Sequence, residues 1–218
     1  MVNADNEQAL RAQIIDTCLA MNAGGLNQGT SGNVSARLGD GLLITPSALP
    51  YDQMRPEDII FLDKDGAPHG PHNPSSEWRF HRDILRARAD IDAVVHTHAM
   101  HAATLAIMQR PIPAVHYMVA VAGGRDIRCC PYATFGTQAL SDHVLEALKD
   151  RFACLMAHHG MIACGASLEK ALWLAGEVEA LAQMYWGALQ IGEPAVLGDD
   201  EMDVVLQKMQ DYRYGIKE

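Results

Sequence analysis

The sequence predicts one α/β domain over residues 1–218, built on a central, mainly antiparallel β-sheet flanked by helices. Three observations predict it. Apolar residues recur at helical spacing near both ends of the chain, and the segments between them carry short alternating or β-branched runs joined by turns rich in Gly and Asp. No composition break, internal repeat or low-complexity tract divides the chain, and strands do not alternate with helices regularly enough for a doubly wound parallel sheet.

The opening segment places Leu10, Ile14, Cys18 and Met21 on one helical face, and Gly24-Gly25 ends it. Val34, Ala36 and Leu38 then share one parity, Gly39-Asp40-Gly41 turns, and Leu42-Leu43-Ile44 returns, which is a hairpin pattern. Asp58 to Leu62 forms a further strand, closed by the turn Asp63-Lys64-Asp65-Gly66, and residues 67–74 read as a loop. A helix starts near Ser75-Ser76-Glu77, with Phe80 and Ile84 on one face, and runs to about Ala89. Ala93 to Thr97 is a strand, residues 99–109 are helical, and residues 111–131 read as short strands and a loop around Gly123-Gly124. Leu140, Val144 and Leu148 mark another helix. Ala153 to Ala157 and Met161 to Cys164 form a hairpin around His158-His159-Gly160, and Ser167 caps a long helix through Leu168, Leu172, Ala175, Val178, Ala182 and Tyr185. A short acidic helix near residues 200–211 ends the pattern.

Composition narrows the function. Hydrophobic residues at 49% and charged residues at 20% are those of a globular protein with a real core. A net charge of −10 opposes binding to a phosphate backbone, so nucleic acid is not expected as a partner. No run approaches the ~20 apolar residues that span a bilayer, and the first residues lack the pattern of a signal peptide, so a cytoplasmic protein with no membrane partner is expected. The five cysteines (Cys18, Cys129, Cys130, Cys154 and Cys164) form no C-x-x-C pair and read as reduced, mostly buried thiols.

The sharpest chemical feature is His96-Thr97-His98 within a strand. Alternate strand residues share a face, so the two imidazoles start roughly 7 Å apart and can converge on one ion. His158-His159-Gly160 presents further imidazoles from a turn, and Glu77 lies at a helix start, where its charge suits the positive end of the dipole. Three histidines and a carboxylate match a site for Zn²⁺ or a related divalent ion. His69, His72, His81 and His143 read as surface residues, while His101 and His116 can support the site. Gly29-Thr30-Ser31-Gly32-Asn33 resembles a backbone nest for an anion, and Ser75-Ser76 offers hydroxyls and free N–H groups at a helix N-terminus. Each loop alone reads equally well as a turn or a cap. Their spacing matches neither phosphate-binding fingerprint of nucleotide sites. Ser75-Ser76 abuts Glu77, however, which suggests a substrate whose phosphate lies a few bonds from its reacting centre.

Eight stretches make the chain similar to the class II aldolase/adducin family. They are Asn27-Gln28-Gly29-Thr30-Ser31-Gly32-Asn33-Val34-Ser35, Ile44-Thr45-Pro46-Ser47, Pro74-Ser75-Ser76-Glu77-Trp78-Arg79-Phe80-His81, Val94-Val95-His96-Thr97-His98, His116-Tyr117-Met118, Pro131-Tyr132-Ala133-Thr134-Phe135-Gly136-Thr137, His158-His159-Gly160 and Leu168-Glu169-Lys170-Ala171-Leu172-Trp173-Leu174-Ala175. They cover nearly the whole chain in order. The resemblance implies a homotetramer with active sites at subunit interfaces and one Zn²⁺ per subunit held by His96, His98, His159 and, at rest, Glu77. It places the substrate phosphate among Thr30, Gly32, Asn33, Ser47, Ala48, Ser75 and Ser76, and assigns catalysis to Glu77, to Tyr117 from a neighbouring subunit, and to a C-terminal tyrosine, Tyr212 or Tyr214, of which Tyr212 is chosen. Ala48 stands where the family usually has glycine, and Thr97 where relatives tend to carry asparagine.

The implied reaction is reversible cleavage of a ketose 1-phosphate, L-fuculose 1-phosphate or a close analogue, to dihydroxyacetone phosphate and a short aldehyde such as L-lactaldehyde. A pentulose-phosphate 4-epimerase, a methylthioribulose-phosphate dehydratase and a non-catalytic adducin-like module remain alternatives within the family. The Ser75-Ser76-Glu77-Trp78-Arg79-Phe80-His81 run favours the aldolase.

Overall fold

Eight strands form one sheet in the order β4-β3-β2-β1-β5-β8-β7-β6 in the computed structural model, which describes residues 4–211. The strands are β1 (Asn33–Leu38), β2 (Gly41–Ile44), β3 (Ile60–Leu62), β4 (Pro68–His69), β5 (Ala93–Thr97), β6 (Cys129–Cys130), β7 (Ala153–Met156) and β8 (Gly160–Gly165). Every neighbouring pair is antiparallel except β6–β7 at one edge. The helices are α1 (Ala4–Ala23), α2 (Trp78–Ala87), α3 (Met100–Ile107), α4 (Gln138–Ala147), α5 (Leu168–Ile191) and α6 (Asp199–Asp211).

Period-two alternation sends the side chains of each central strand to opposite faces. Val34, Ala36, Val95, Met161 and Ala163 pack with Ile14 and Cys18 of α1, Ala102 of α3 and Ala175 and Val178 of α5. Ile44, Val94, Cys154 and Ile162 pack on the other face with Phe80 and Ile84 of α2 and Leu140 and Val144 of α4. The expected antiparallel α/β domain is therefore a helix–sheet–helix sandwich.

Three local expectations change. Residues 67–74 contain the two-residue edge strand β4, whose exposed Pro68 suits an edge because it cannot donate to a ladder. Within residues 111–131, only an isolated Ile112–Ile127 bridge and β6 are extended; Tyr117–Ala122 is a 3-10 helix, capped by His116 Nδ1 accepting from the Met118 amide and ended by Gly123 at φ +91°. Residues 56–58 form a 3-10 turn, so the strand expected from Asp58 starts at Ile60. The five cysteines are unpaired, and burial pushes the Cys129 thiol up to about 11 and the Cys130 and Cys164 thiols up to about 12, which fits packing residues rather than nucleophiles.

Candidate metal centre and anion cavity

β1, β5 and β8 lie side by side, and the register sets Asn33 opposite His96 and His96 opposite Ile162. His96 shares the α2-facing side of β5 with Val94 and is fully buried. Gly32, just before β1, is a point of close approach: a Cβ there would lie 2.6 Å from the His96 carbonyl oxygen, so only glycine fits. Gly160, at the start of β8, is held in the same way, since a Cβ there would run into the Thr97 carbonyl oxygen. The turn between β7 and β8 puts His158 at φ +56° and delivers His159 beside His96 of β5 and His98, which follows the strand's end.

The three imidazoles converge. His96 Nε2 and His98 Nε2 are 3.1 Å apart, and the ligand nitrogens of His96, His98 and His159 all lie within 4.8 Å of one another. His96 Nδ1–H donates to the Met161 carbonyl at 2.9 Å, which leaves the Nε2 lone pair aimed at the common point. Burial pushes the His98 and His159 rings down to about 4, aided by charge at His96 and resisted by Glu77, so both are neutral near pH 7 and able to act as ligands.

Glu77, immediately before α2, completes the cluster. Its Oε2 lies 3.2 Å from His96 Nε2 and accepts from Asn33 Nδ2 at 2.9 Å, and its Oε1 lies 3.2 Å from His159 Nε2. Burial raises the carboxyl pKa, but the charges and hydrogen bonds of His96, His159 and Asn33 outweigh it and hold the group well below the usual carboxylate range. Oε1 is nevertheless the one buried side-chain polar atom among the described residues with no hydrogen-bond partner. An ionised, buried oxygen left without a donor among three imidazole nitrogens is costly unless a cation takes its charge. The residues present therefore fit a divalent metal ion: three imidazole nitrogens and one carboxylate oxygen, the donor set of a Zn²⁺ site.

A cavity of about 430 Å³ opens beside this cluster. Thr30, Ser47, Ala48 and Ser76 of the expected phosphate set line it together with Glu77, His98 and His159. The assembly is local: Ser47 N donates to the Asn73 carbonyl, Ser75 N donates to the Thr45 carbonyl, and a Pro46–Pro74 bridge brings the Ser47 loop against the start of α2. Ala48 sits at φ +60°, so the left-handed backbone that glycine would supply is adopted here by alanine. On the opposite wall, Arg79 donates to the Gly136 carbonyl at 2.6 Å and holds the loop carrying Tyr132 and Phe135, both more than half exposed, which the sequence reading did not single out.

The remaining expectations separate. Gly32, Asn33 and Ser75 do not line the cavity: Gly32 supports the strand approach, the Ser75 hydroxyl accepts from the Glu77 amide, and the Asn33 amide is spent on Glu77 and His81. Tyr117 is half exposed and lines a separate groove with Met118, Leu197 and Val205 of α6 and its approach. Tyr212 and Tyr214 lie outside the described residues. His81, read as a surface residue, is fully buried, because the α2 face that carries Glu77 at one turn's spacing is packed against the sheet. His101 does not reach the cluster; it bonds Glu179, whose two carboxylate oxygens also accept from the amides of His101 and Ala102 at the start of α3.

The family described as Class II Aldolase and Adducin N-terminal domain matches residues 12–186. A protein of Escherichia coli O6:H1 named L-fuculose phosphate aldolase is 56% identical over 96% of this chain and 98% of its own length. A Rhodospirillum rubrum protein named 5-methylthioribulose-1-phosphate/5-deoxyribulose-1-phosphate aldolase is 58% identical over 94% of this chain and 92% of its own. A solved structure titled L-fuculose 1-phosphate aldolase superposes with a TM-score of 0.91 at 36% identity, covering 96% of this chain and 98% of that one.

Proposed function

The chain belongs to the class II aldolase and adducin family and is an aldolase, and from that premise we propose that it cleaves a ketose 1-phosphate, L-fuculose 1-phosphate or a close analogue, reversibly to dihydroxyacetone phosphate and a short aldehyde such as L-lactaldehyde. One observation carries the reading: Glu77, with its orphaned Oε1, and His98 and His159, which converge with the buried His96, line the same cavity as Thr30, Ser47 and Ser76. A substrate bound there sets its phosphate on the hydroxyl cradle, with its carbonyl and neighbouring hydroxyl at the cluster.

His96, His98, His159 and Glu77 would hold Zn²⁺, which when bound supplies Lewis-acid stabilisation of the negative charge that carbon–carbon cleavage leaves on the substrate. Glu77, ionised in the cluster, exchanges the proton at C3 in this reading. Tyr117 takes the C4 hydroxyl proton on cleavage and returns it on condensation. Its half-exposed position, away from the cavity of its own chain, is what a residue serving a neighbouring subunit requires. We extend the reading to a homotetramer, supported by the exposed apolar side chains of Met100, Ile107, Met108 and Trp186 on α3, its C-terminal end and α5. Tyr212 is kept as the residue that closes over the aldehyde. Unpaired cysteines suit the cytoplasm, and no helix among the described residues is long and apolar enough to cross a membrane.

The Rhodospirillum relative's name favours testing 5-deoxyribulose and 5-methylthioribulose 1-phosphates beside L-fuculose 1-phosphate. A panel of these ketose 1-phosphates, assayed for release of dihydroxyacetone phosphate with and without chelator, tests the proposal. Chelator-sensitive release from at least one supports it. Isomerisation or loss of water without triose phosphate overturns it.

A further inference from the structure

Behind the cluster runs a chain of buried hydrogen bonds that the proposed reaction does not use. Ser35 Oγ is 2.7 Å from His81 Nδ1, His81 Nε2 is 2.6 Å from Asn33 Oδ1, and Asn33 Nδ2 is 2.9 Å from Glu77 Oε2. Ser35, His81, Asn33 and Glu77 are each almost wholly removed from solvent. Two periodicities build the chain: Asn33 and Ser35 share one face of β1, and Glu77, the N-cap of α2, stands one helical turn before His81. Phe80, itself buried, stacks on His81 with centroids 4.7 Å apart and meets His96 edge-on at 5.7 Å, which fixes the plane of the His81 ring.

Hydrogen-bond valence sets the direction. A carboxylate only accepts, so the Asn33 group facing Glu77 must be the amide N–H₂, and its carbonyl must face His81. That carbonyl needs a donor, so His81 carries its proton on Nε2. Nδ1 then accepts from the Ser35 hydroxyl. With the amide flipped, two acceptor oxygens would face each other at 2.9 Å. We propose that His81, held as the Nε2–H tautomer with its Nδ1 capped by the Ser35 hydroxyl, is a positioning residue that locks the Asn33 amide and so holds the Glu77 carboxylate at the metal centre. The inference rests on the metal-aldolase reading for its catalytic consequence, but not for its geometry.

Three measurements on the full chain test it. The ¹⁵N spectrum of histidine-labelled wild-type protein should show a His81 ring protonated at Nε2 and bare at Nδ1; a ring protonated at Nδ1 overturns the proposal without any variant. Zn²⁺ titrated into chelator-stripped protein against a chromophoric chelator should bind His81→Leu about 10–100-fold more weakly than wild type, while His81→Gln, which keeps an N–H donor for Asn33, stays within a few-fold. Equal affinity in all three proteins, or equal loss in both variants, overturns it. With a ketose 1-phosphate cleaved by wild type, His81→Leu should lower kcat by a similar factor with KM little changed, and His81→Gln should recover it; a loss confined to KM overturns it. If wild type cleaves none of the ketose 1-phosphates, the aldolase reading fails, and the spectrum and titration still decide this one. Ser35→Ala, the smallest change, should loosen Zn²⁺ binding a few-fold and serves if His81→Leu does not fold; unchanged binding in a folded Ser35→Ala counts against the lock.

Discussion

Asn33 stands directly opposite His96 in the β1–β5 ladder, and its side chain bonds the carboxylate that His96 also faces. One strand pair thus sets both a metal-facing imidazole and the amide that steadies Glu77. A carboxylate at position 33 would keep an acceptor for His81 but replace the donor to Glu77 with a like charge. Asn33→Asp is expected to cut turnover by about 10–100-fold, read as kcat in the triose-phosphate assay on protein whose circular dichroism matches wild type. Unchanged kcat would refute the link between the amide and Glu77.

Glu77→Gln preserves shape but removes the charge and the proton acceptor. Turnover should fall at least ~100-fold, the low end of general acid–base effects, while binding of a non-cleavable phosphate ligand by calorimetry is retained. Near-normal turnover removes Glu77 from proton transfer.

Dialysis against a strong chelator should abolish cleavage, and stoichiometric Zn²⁺ should restore it. Elemental analysis of the purified protein, expected at one divalent ion per chain, provides the independent check.

His98 and His159 titrate at about 4 in the folded chain against an ordinary 6.5. Between those values the unfolded chain binds protons that the folded chain does not, so unfolding gains as pH falls. The stability at issue is present above about pH 6.5 and lost towards pH 4. Chelator-treated protein should show Tm falling across this window, and His98→Gln should flatten the fall. A profile level from pH 7 to 4 contradicts the assignment.

Ala48 holds φ +60°, a conformation that costs an alanine about 1 kcal/mol or more relative to glycine. Ala48→Gly should raise Tm by about 2–4 °C for a chain of this size, by differential scanning calorimetry, without loss of substrate affinity. Ala48→Val should lower Tm and raise KM, because the strained residue lies in the wall of the cavity beside Glu77, His98 and His159.

Local pattern revealed much of this molecule. The H-x-H spacing brought out His96 and His98, although β5 ends at Thr97 and His98 lies just past it; the turn at His158-His159-Gly160 offered the third imidazole, and helical spacing at Leu168–Tyr185 found α5. What stayed hidden depends on packing between distant segments. His81 is a polar residue on a short helix, and nothing nearby in sequence says that α2 turns that face onto β1; the i to i+4 spacing from Glu77 was the available signal. Asn33 reads as a loop donor because the residues before it form a nest, whereas its place as the first residue of β1 aims it at Glu77. Tyr117 to Ala122 carries apolar residues in a row, which suits a strand as well as the 3-10 helix that its His116 cap and Gly123 stop produce.

The four donors come from positions 77, 96, 98 and 159, on elements that meet only once β1, β5, β8 and α2 are assembled. An ion seated among them is a clasp closing some of the longest loops in the chain, and it can bind with full strength only to the finished fold. Metal supply in the cell would then govern how long each molecule lasts as well as whether it works.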